Sequence, residues 1–389
     1  MAFPVPLTLG VEEEYQIIDP NTRELTAYIQ HLLDHNQILG EIIKPEFLQS
    51  QIEMGTPICP TVKEVRKELT RIRTQVCSLA EQEGVWIAAA GTHPFSHWAE
   101  QAITDRERYI DFAADMGAVV RSLLIFGTHI HVGFGESPGQ RELLITVMNQ
   151  VRYFLPHILA LSSSSPFWMG EDTKLKSYRS IVFKQLPRTG IPMAFNSWSE
   201  FETYLRLMGR IGSLGRKAQA GEDIGDATRI WWDVRPHLTY NTLEFRVCDV
   251  ATTIDEAVCI TALFQALVAK LIRLRENNMA WRYYPRDLIN ENKWRAVRYG
   301  VRGSLVDFGK GEEVPLPNLV DELIMLVDDV VDELDCREEV AYARTIAMQG
   351  SSADRQLGVF HEALSQGATR QEALHAVVDH LVAETSQCT

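Results

Sequence analysis

The sequence predicts an α+β protein: an antiparallel or mixed sheet with helices on one side, followed by a helical C-terminal third. Three observations lead there. Short apolar or alternating runs bounded by Gly, Pro, Asn and Asp supply about six strands in the first two thirds of the chain. Helices separate these runs, but the strict strand–helix–strand alternation of a doubly wound sheet is missing. From Thr253 onward, apolar residues recur three and four apart almost to the end. No Pro/Gly/Ser linker, low-complexity tract or internal repeat divides the chain, so residues 1–389 read as one domain.

The elements follow in order. Gly10-Val11-Glu12-Glu13-Glu14-Tyr15-Gln16 ends a strand that begins with Val5, Leu7 and Leu9. Side chains alternate along a strand, so Glu12 and Glu14 share one face and Glu13 takes the other. Two carboxylates side by side repel, unless a divalent cation turns them into a site. Asp19-Pro20-Asn21-Thr22 is turn chemistry, and a helix is expected over 26–36. Gln49–Met54 reads as a strand carrying Glu53. Glu46 would lie on the opposite face of a straight strand, so only a bend brings it to Glu53. Thr61-x-x-Glu64 is a capping box that opens a helix through Val62, Val65, Leu69, Ile72, Val76 and Leu79, closed by Gly84.

Val85–Ala90 is the next strand, and a polar helix follows over 104–115. Leu123–Phe134 is a strand with His129 and His131 on one face and Thr128, Ile130 and Val132 on the other. A helix over 139–161 ends at Ser162–Pro166, and Ser197-x-x-Glu200 caps another. Ile230–Val234 and Leu243–Val247 read as a hairpin, with Glu244, Arg246 and Cys248 on one face. Thr253-x-x-Glu256 opens the helical tail, with helices over 254–275, 285–298, 316–335, 338–348, 353–365 and 370–385.

Composition bounds the function. The 389 residues are 46% hydrophobic and 23% charged, with a net charge of −14. That charge argues against nucleic acid or an anionic membrane surface as partner, since both select basic patches. The six cysteines are scattered without a Cys-x-x-Cys pair, which points to a reducing compartment, the cytoplasm, and away from a disulfide framework or zinc knuckle. The start, Met-Ala-Phe-Pro-Val-Pro, lacks the profile of a signal peptide, and no stretch reads as a membrane span.

Four strands place acids or imidazoles on one face: Glu12 and Glu14, Glu53, His129 and His131, and Glu244. One such strand is ordinarily a solvated edge. Four suggest a shared polar sheet face suited to Mg²⁺, with Mn²⁺ tolerated because of the imidazole. Arg246 would stand beside the metals and stabilise a transferring phosphoryl group, and Arg235 is a second candidate. His131 is better placed for a ligand or phosphate than for a metal. Glu13 reads as an ordinary strand residue, and Trp231 and Trp232 as core and rim aromatics. Cys248 without a nearby base is weak as a nucleophile. There is no P-loop. Gly133-x-Gly135-x-x-x-Gly139 does not match the dinucleotide spacing, and no Gly-x-Ser-x-Gly elbow occurs.

Eight segments together resemble a known family. They are Gly-Val-Glu-Glu-Glu-Tyr at 10–15, Gly-Thr-His-Ile-His-Val-Gly at 127–133, Ser-Ser-Pro-Phe-Trp at 164–168, Ser-Tyr-Arg-Ser at 177–180, Trp-Trp-Asp-Val-Arg-Pro at 231–236, Thr-Leu-Glu-Phe-Arg-Val-Cys-Asp at 242–249, Trp-Arg-Ala-Val-Arg-Tyr-Gly at 294–300 and Ala-Asp-Arg-Gln at 353–356. In this order, and over almost the whole chain, they resemble the glutamate–cysteine ligase type 2 family, the carboxylate–amine ligases, of the glutamine synthetase-like superfamily. The resemblance implies a cupped, mostly antiparallel sheet of about six strands with helices on its convex side. It implies ATP, Mg²⁺ and an acid substrate, glutamate first, on the concave face, and an amine or amino acid as second substrate. Glu12, His129 and Glu244 would hold one metal and Glu14 and Glu53 another, with Glu46 contributing. His131 and Arg246 would contact phosphate or substrate. The implied activity is amide formation through an acyl phosphate, including glutamate–cysteine ligation. Residues 211–226, rich in glycine and in charge of both signs, are expected to cover the site.

Two other readings stand beside this one. A metal-dependent amide hydrolase would also use His-x-His at a strand end, but it needs further ligands on later strands, where this chain offers Glu244 and Arg246. A non-enzymatic ATP or metal sensor would bind nucleotide without turnover. A homodimer follows from family habit and from the stripe Leu323, Leu326, Val327, Val330 and Leu334, which also suits a plain core.

Overall fold

The computed structural model describes residues 3–35, 43–136, 138–215 and 226–387. Its main sheet has seven strands: β1 (Leu9–Ile18), β2 (Ile43–Pro45), β3 (Gln51–Gly55), β4 (Trp86–Ala88), β5 (Gly127–Gly133), β6 (Val234–His237) and β7 (Thr242–Asp249). Their spatial order is β6–β7–β5–β1–β3–β2, with β4 pairing the end of β1. Every pairing in this sheet is antiparallel. The α+β class therefore holds.

Register sorts the two faces. Glu12 lies opposite His129, Glu14 opposite Glu53, and Glu244 opposite both His131 and Arg235. Directly opposed residues of an antiparallel pair share a face, so all of these side chains stand on one side. The other side carries Val11, Tyr15, Ile52, Met54, Ile130, Val132, Val234, Leu243 and Phe245, all buried. Helices cover it. Ile254–Glu276 is the central one, and Phe264 stacks on Phe245 with ring centroids 3.9 Å apart. By length and composition this helix could cross a membrane, but 83% of its most apolar window is buried inside the protein, in keeping with the sequence reading. It is a core helix. Leu323, Val327 and Val330 are core as well, with Leu326 and Leu334 packed against them.

Glu13 is not an ordinary strand residue. It points into the helical side, fully buried, and takes a forked pair of hydrogen bonds from Arg73 at 3.0 and 2.6 Å. Tyr15 Oη also donates to it. Arg73, from the helix Val62–Gln82, also donates to the carbonyls of Ala251 and Thr252. The pair ties β1 to the helical layer on the face opposite Glu12 and Glu14, and losing either partner would leave a buried charge unpaired.

Other departures have local causes. β2 was not anticipated; it forms a hairpin with β3. The helix expected over 139–161 breaks into Pro138–Val151 and Leu155–Ser162 around a tight turn at 152–154, because Pro156 cannot donate to the preceding turn. Only Gly127–Gly133 of 123–134 is strand. Trp231–Trp232 pairs in parallel with Thr189–Gly190, and the partner of β7 is instead Val234–His237. The helical tail is interrupted by a hairpin of Ser304–Asp307 and Glu312–Pro315, whose turn Asp307 closes by accepting the N–H groups of Gly309 and Lys310. Between Phe245 and Cys248 the pairing of β7 with β5 shifts by a bulge. The extra residue reverses the phase, so Cys248 opposes Thr128 on the helical side and not on the Glu244 face. There burial pushes its thiol up to about 12.

Candidate active site

The open face of the sheet forms the floor of a cavity of about 430 Å³. Glu12, Glu14, Glu46, Glu53, His129, Arg235 and Arg246 line it. The bend that Glu46 required is the β2–β3 hairpin. Glu46 follows β2 directly and its carboxyl hydrogen-bonds the Glu53 carboxyl across the hairpin. His131 and Glu244 stand on the same face beside this lining. His131 Nδ1 and Thr242 Oγ1 are 2.8 Å apart, and its ring packs edge-on against His237.

The charges divide into two groups. At Glu14 and Glu53 burial outweighs the positive neighbours, Arg179 and Arg246 for the first and Lys44 for the second. Burial, with Glu53 nearby, raises Glu14 to about 7 although Arg179 opposes the shift. Burial, with Glu46 and Glu12 nearby, raises Glu53 to about 9. Buried carboxylates in mutual repulsion are the donor set a hard cation resolves, since oxygen-rich sites suit Mg²⁺. The second group is already compensated. Burial works against the charge of Glu244, but Arg246 and Arg235 hold it well below the carboxylate range. Arg235 forks onto it at 2.7 and 3.1 Å, and Arg246 Nη1 donates to its Oε1. Glu12 is held low, against burial, by His129 and His131, whose ring nitrogens lie 3.4 and 3.9 Å from its Oε2. Burial and Arg246 push His129 down to about 4, so its imidazole is neutral near pH 7 and keeps a lone pair for a metal.

The residues present thus fit a divalent cation by their chemistry. Among the described residues, no three His, Cys, Asp or Glu side chains converge on a single point as a closed cage would. The two arginines differ. Arg235 spends its other donors on the carbonyls of Thr228 and Ile230 at 2.8 and 2.6 Å, so it positions Glu244. Arg246 keeps a buried Nε with no partner among the described residues.

Sequence reasoning missed Arg179 as a site residue. It is 97% buried by its relative exposure of 3%, lines the cavity, and has an Nε without a partner among the described residues. The Ser-Tyr-Arg-Ser segment was the available signal, but nothing local aims it at the sheet. The glycine of Gly-Thr-His-Ile-His does: a Cβ at Gly127 would lie 2.4 Å from Arg179 Nη2, so only glycine leaves the guanidinium its place. The far end of the cavity is apolar and also unforeseen. Phe47, Phe112 and Trp231 line it, with Phe112 and Trp231 ring centroids 5.4 Å apart. Arg229 and Asp115 pair at 3.0 Å beside them, tying 226–231 to the helix Glu107–Met116. The expected cover, 211–226, lies mostly outside the described residues, at 216–225.

Comparison with known proteins places this chain among the ATP-dependent ligases. The profile of glutamate-cysteine ligase family 2 matches residues 8–380, and the chain belongs to that family. It is 50% identical over 381 residues to a Roseiflexus castenholzii protein provisionally named glutamate–cysteine ligase 2, covering 98% of this chain and 95% of that one. Two solved structures share the fold. One is a glutamate–cysteine ligase of Francisella tularensis in complex with AMP, with a TM-score of 0.66 at 12% identity, covering 98% of this chain and 89% of that one. The other is a bifunctional glutathione synthetase of Pasteurella multocida, with a TM-score of 0.66 at 14% identity, covering 97% of this chain and 52% of that one.

Proposed function

We propose that this ligase joins a small carboxylic acid, glutamate or a close analogue, to an amine or amino acid through an amide bond, with ATP consumed to ADP. The observation that carries this reading is the meeting in one cavity of the carboxyls of Glu14, Glu46 and Glu53 with Arg246 and Arg179, each of which keeps a buried Nε without a partner among the described residues.

Glu14, Glu46 and Glu53 would hold one Mg²⁺, and Glu12, His129 and Glu244 would contribute to another; Mn²⁺ would substitute. Bound there, the cations supply neutralisation of the triphosphate. The acid's carboxylate oxygen attacks the γ-phosphorus, the bond to the β,γ-bridging oxygen breaks, and ADP leaves with an acyl phosphate formed. The amine nitrogen then attacks the acyl carbon. The carbon–oxygen bond to phosphate breaks, inorganic phosphate carries away the negative charge, and the amine's proton passes to phosphate or solvent. Arg246 and Arg179 hold phosphoryl oxygens or the acid in line, and His131 contacts phosphate. Arg235 keeps Glu244 oriented. Phe112, Trp231 and Arg229 line one part of the cavity and would limit the access of water to an acyl phosphate.

We read the chain as one catalytic domain acting in the cytoplasm, in keeping with the free thiols of Cys59, Cys77, Cys248, Cys259 and Cys336. A homodimer remains an expectation from family habit. The test is ADP release in Mg²⁺/ATP with L-glutamate while amino acids and other amines are added one at a time. Release that needs both acid and amine, and falls at least about 100-fold in Glu12→Gln and Glu53→Gln, supports the ligase. ADP release without an amine, at equal rate in both variants, would refute it.

A further inference from the structure

Three of the resembling segments, 164–168, 294–300 and 353–356, supply no group to the chemistry above, yet with 177–180 they gather around one buried carboxyl. Asp249 ends β7 and is fully buried. Its Oδ2 accepts the Ser164 N–H at 3.0 Å and the Ser165 hydroxyl at 2.6 Å, and its Oδ1 accepts the Ser177 hydroxyl at 2.7 Å. Ser165 Oγ in turn accepts the N–H of Arg179 at 3.0 Å. Ser177 is the residue before the helix Tyr178–Phe183, and Arg179 is the second residue of that helix. Behind this node, Gln356 donates to the Ser164 carbonyl at 2.8 Å, and the N–H of Lys176 is held by the Val297 carbonyl at 2.8 Å.

The same node reaches the cavity from the sheet side. A Cβ at Gly91 would lie 2.8 Å from the Asp249 carboxyl, as one at Gly127 would strike the Arg179 guanidinium. Two glycines therefore make room for the acid and for the arginine. Arg179 Nη2 bonds the Arg246 carbonyl at 3.4 Å, and it is the foremost positive influence on Asp249. Oriented this way, the guanidinium enters the cavity with its Nε unspent.

We propose that Asp249 is a positioning residue of the ligase: through Ser165 and Ser177 it sets the start of the 178–183 helix and thereby aims Arg179 at the reacting phosphoryl group or acid. The role rests on the ligase reading. In Asp249→Asn an amide NH₂ faces either the Ser164 N–H or the Ser177 hydroxyl, and one of these loses its acceptor. Ser177→Ala removes a single anchor and serves where the Asn variant fails to fold. A misplacement of about 1 Å costs on the order of 100-fold in rate.

The experiment is a double-mutant cycle on kcat and KM for amine-dependent ADP release, with thermal unfolding recorded for every protein. Asp249→Asn, or Ser177→Ala if needed, is made alone and in an Arg179→Ala background. The expected result is a kcat lowered about 10- to 100-fold in the single variant of the pair and little further loss when Arg179 is already gone. A merely structural role would lower activity by the same factor in both backgrounds, and that outcome overturns the proposal, as does unchanged kcat in folded Asp249→Asn. A wild-type protein inactive with every acid and amine overturns the ligase reading, and the positioning role with it.

Discussion

At the level of single residues, charge compensation separates structure from chemistry in this protein. Glu13 and Arg73 are both fully buried and satisfy each other, so they tie β1 to the helix behind it. Arg73→Ala is expected to destabilise the protein by about 3–5 kcal/mol in urea unfolding, because it strands the Glu13 carboxylate. A loss under about 1 kcal/mol would show that Glu13 is neutralised in some other way. Gly127→Ala has the opposite signature. Its Cβ meets the far end of the flexible Arg179 side chain, so the fold should persist while ADP release drops about 10-fold or more. Unchanged activity in that variant would remove Arg179 from the mechanism. The two residues were unequally legible in the sequence. Alternation alone put Glu12 and Glu14 on one face, whereas the partner of Glu13 sits sixty residues away on a helix, and no local pattern names it.

At the scale of elements, strands were legible where alternation or a long apolar run marked them, and capping boxes placed the helix starts at Val62, Trp198 and Ile254. The failures are tertiary. The β7 bulge cannot be seen in Phe245–Cys248, yet it decides that Cys248 faces the helices. Glu46 reaches Glu53 only because three residues before it form an unforeseen strand. The loop after β4 carries a further device. His93 Nδ1 accepts the N–H groups of Phe95 and Ser96, and its Nε2 lies 2.9 Å from the Arg23 carbonyl. That pattern requires the neutral ring, and burial pushes its pKa down to about 3; burial likewise brings His157 to about 4. In the unfolded chain both titrate near 6.5, so below that pH unfolding takes up protons that the native state refuses. Their contribution is complete above about pH 6.5 and declines as pH falls towards 4 and 3. By pH 5 the loss should be about 2 kcal/mol per histidine. Urea midpoints measured from pH 7 to pH 5 check this, and a His93→Asn protein should show a shallower slope. An identical slope in that variant would mean His93 titrates normally.

For the molecule as a whole, one antiparallel sheet separates an apolar helical layer from a polar cleft, and the cleft is built from four strands distant in sequence. The family resemblance and the single-faced acids made that arrangement legible. The aromatic end of the cavity and the buried Asp249 node were not, because both are assembled from loops that meet only in the folded chain. The central claim is that the acid's own oxygen passes to phosphate through an acyl phosphate. The most direct measurement uses glutamate labelled with ¹⁸O in its carboxyl groups, Mg²⁺/ATP and whichever amine supports ADP release, with mass spectrometry of the phosphate formed. The account predicts one ¹⁸O in each phosphate and an amide product in equal amount. Phosphate carrying no label would mean that water attacks ATP directly, and the acyl phosphate mechanism would be wrong.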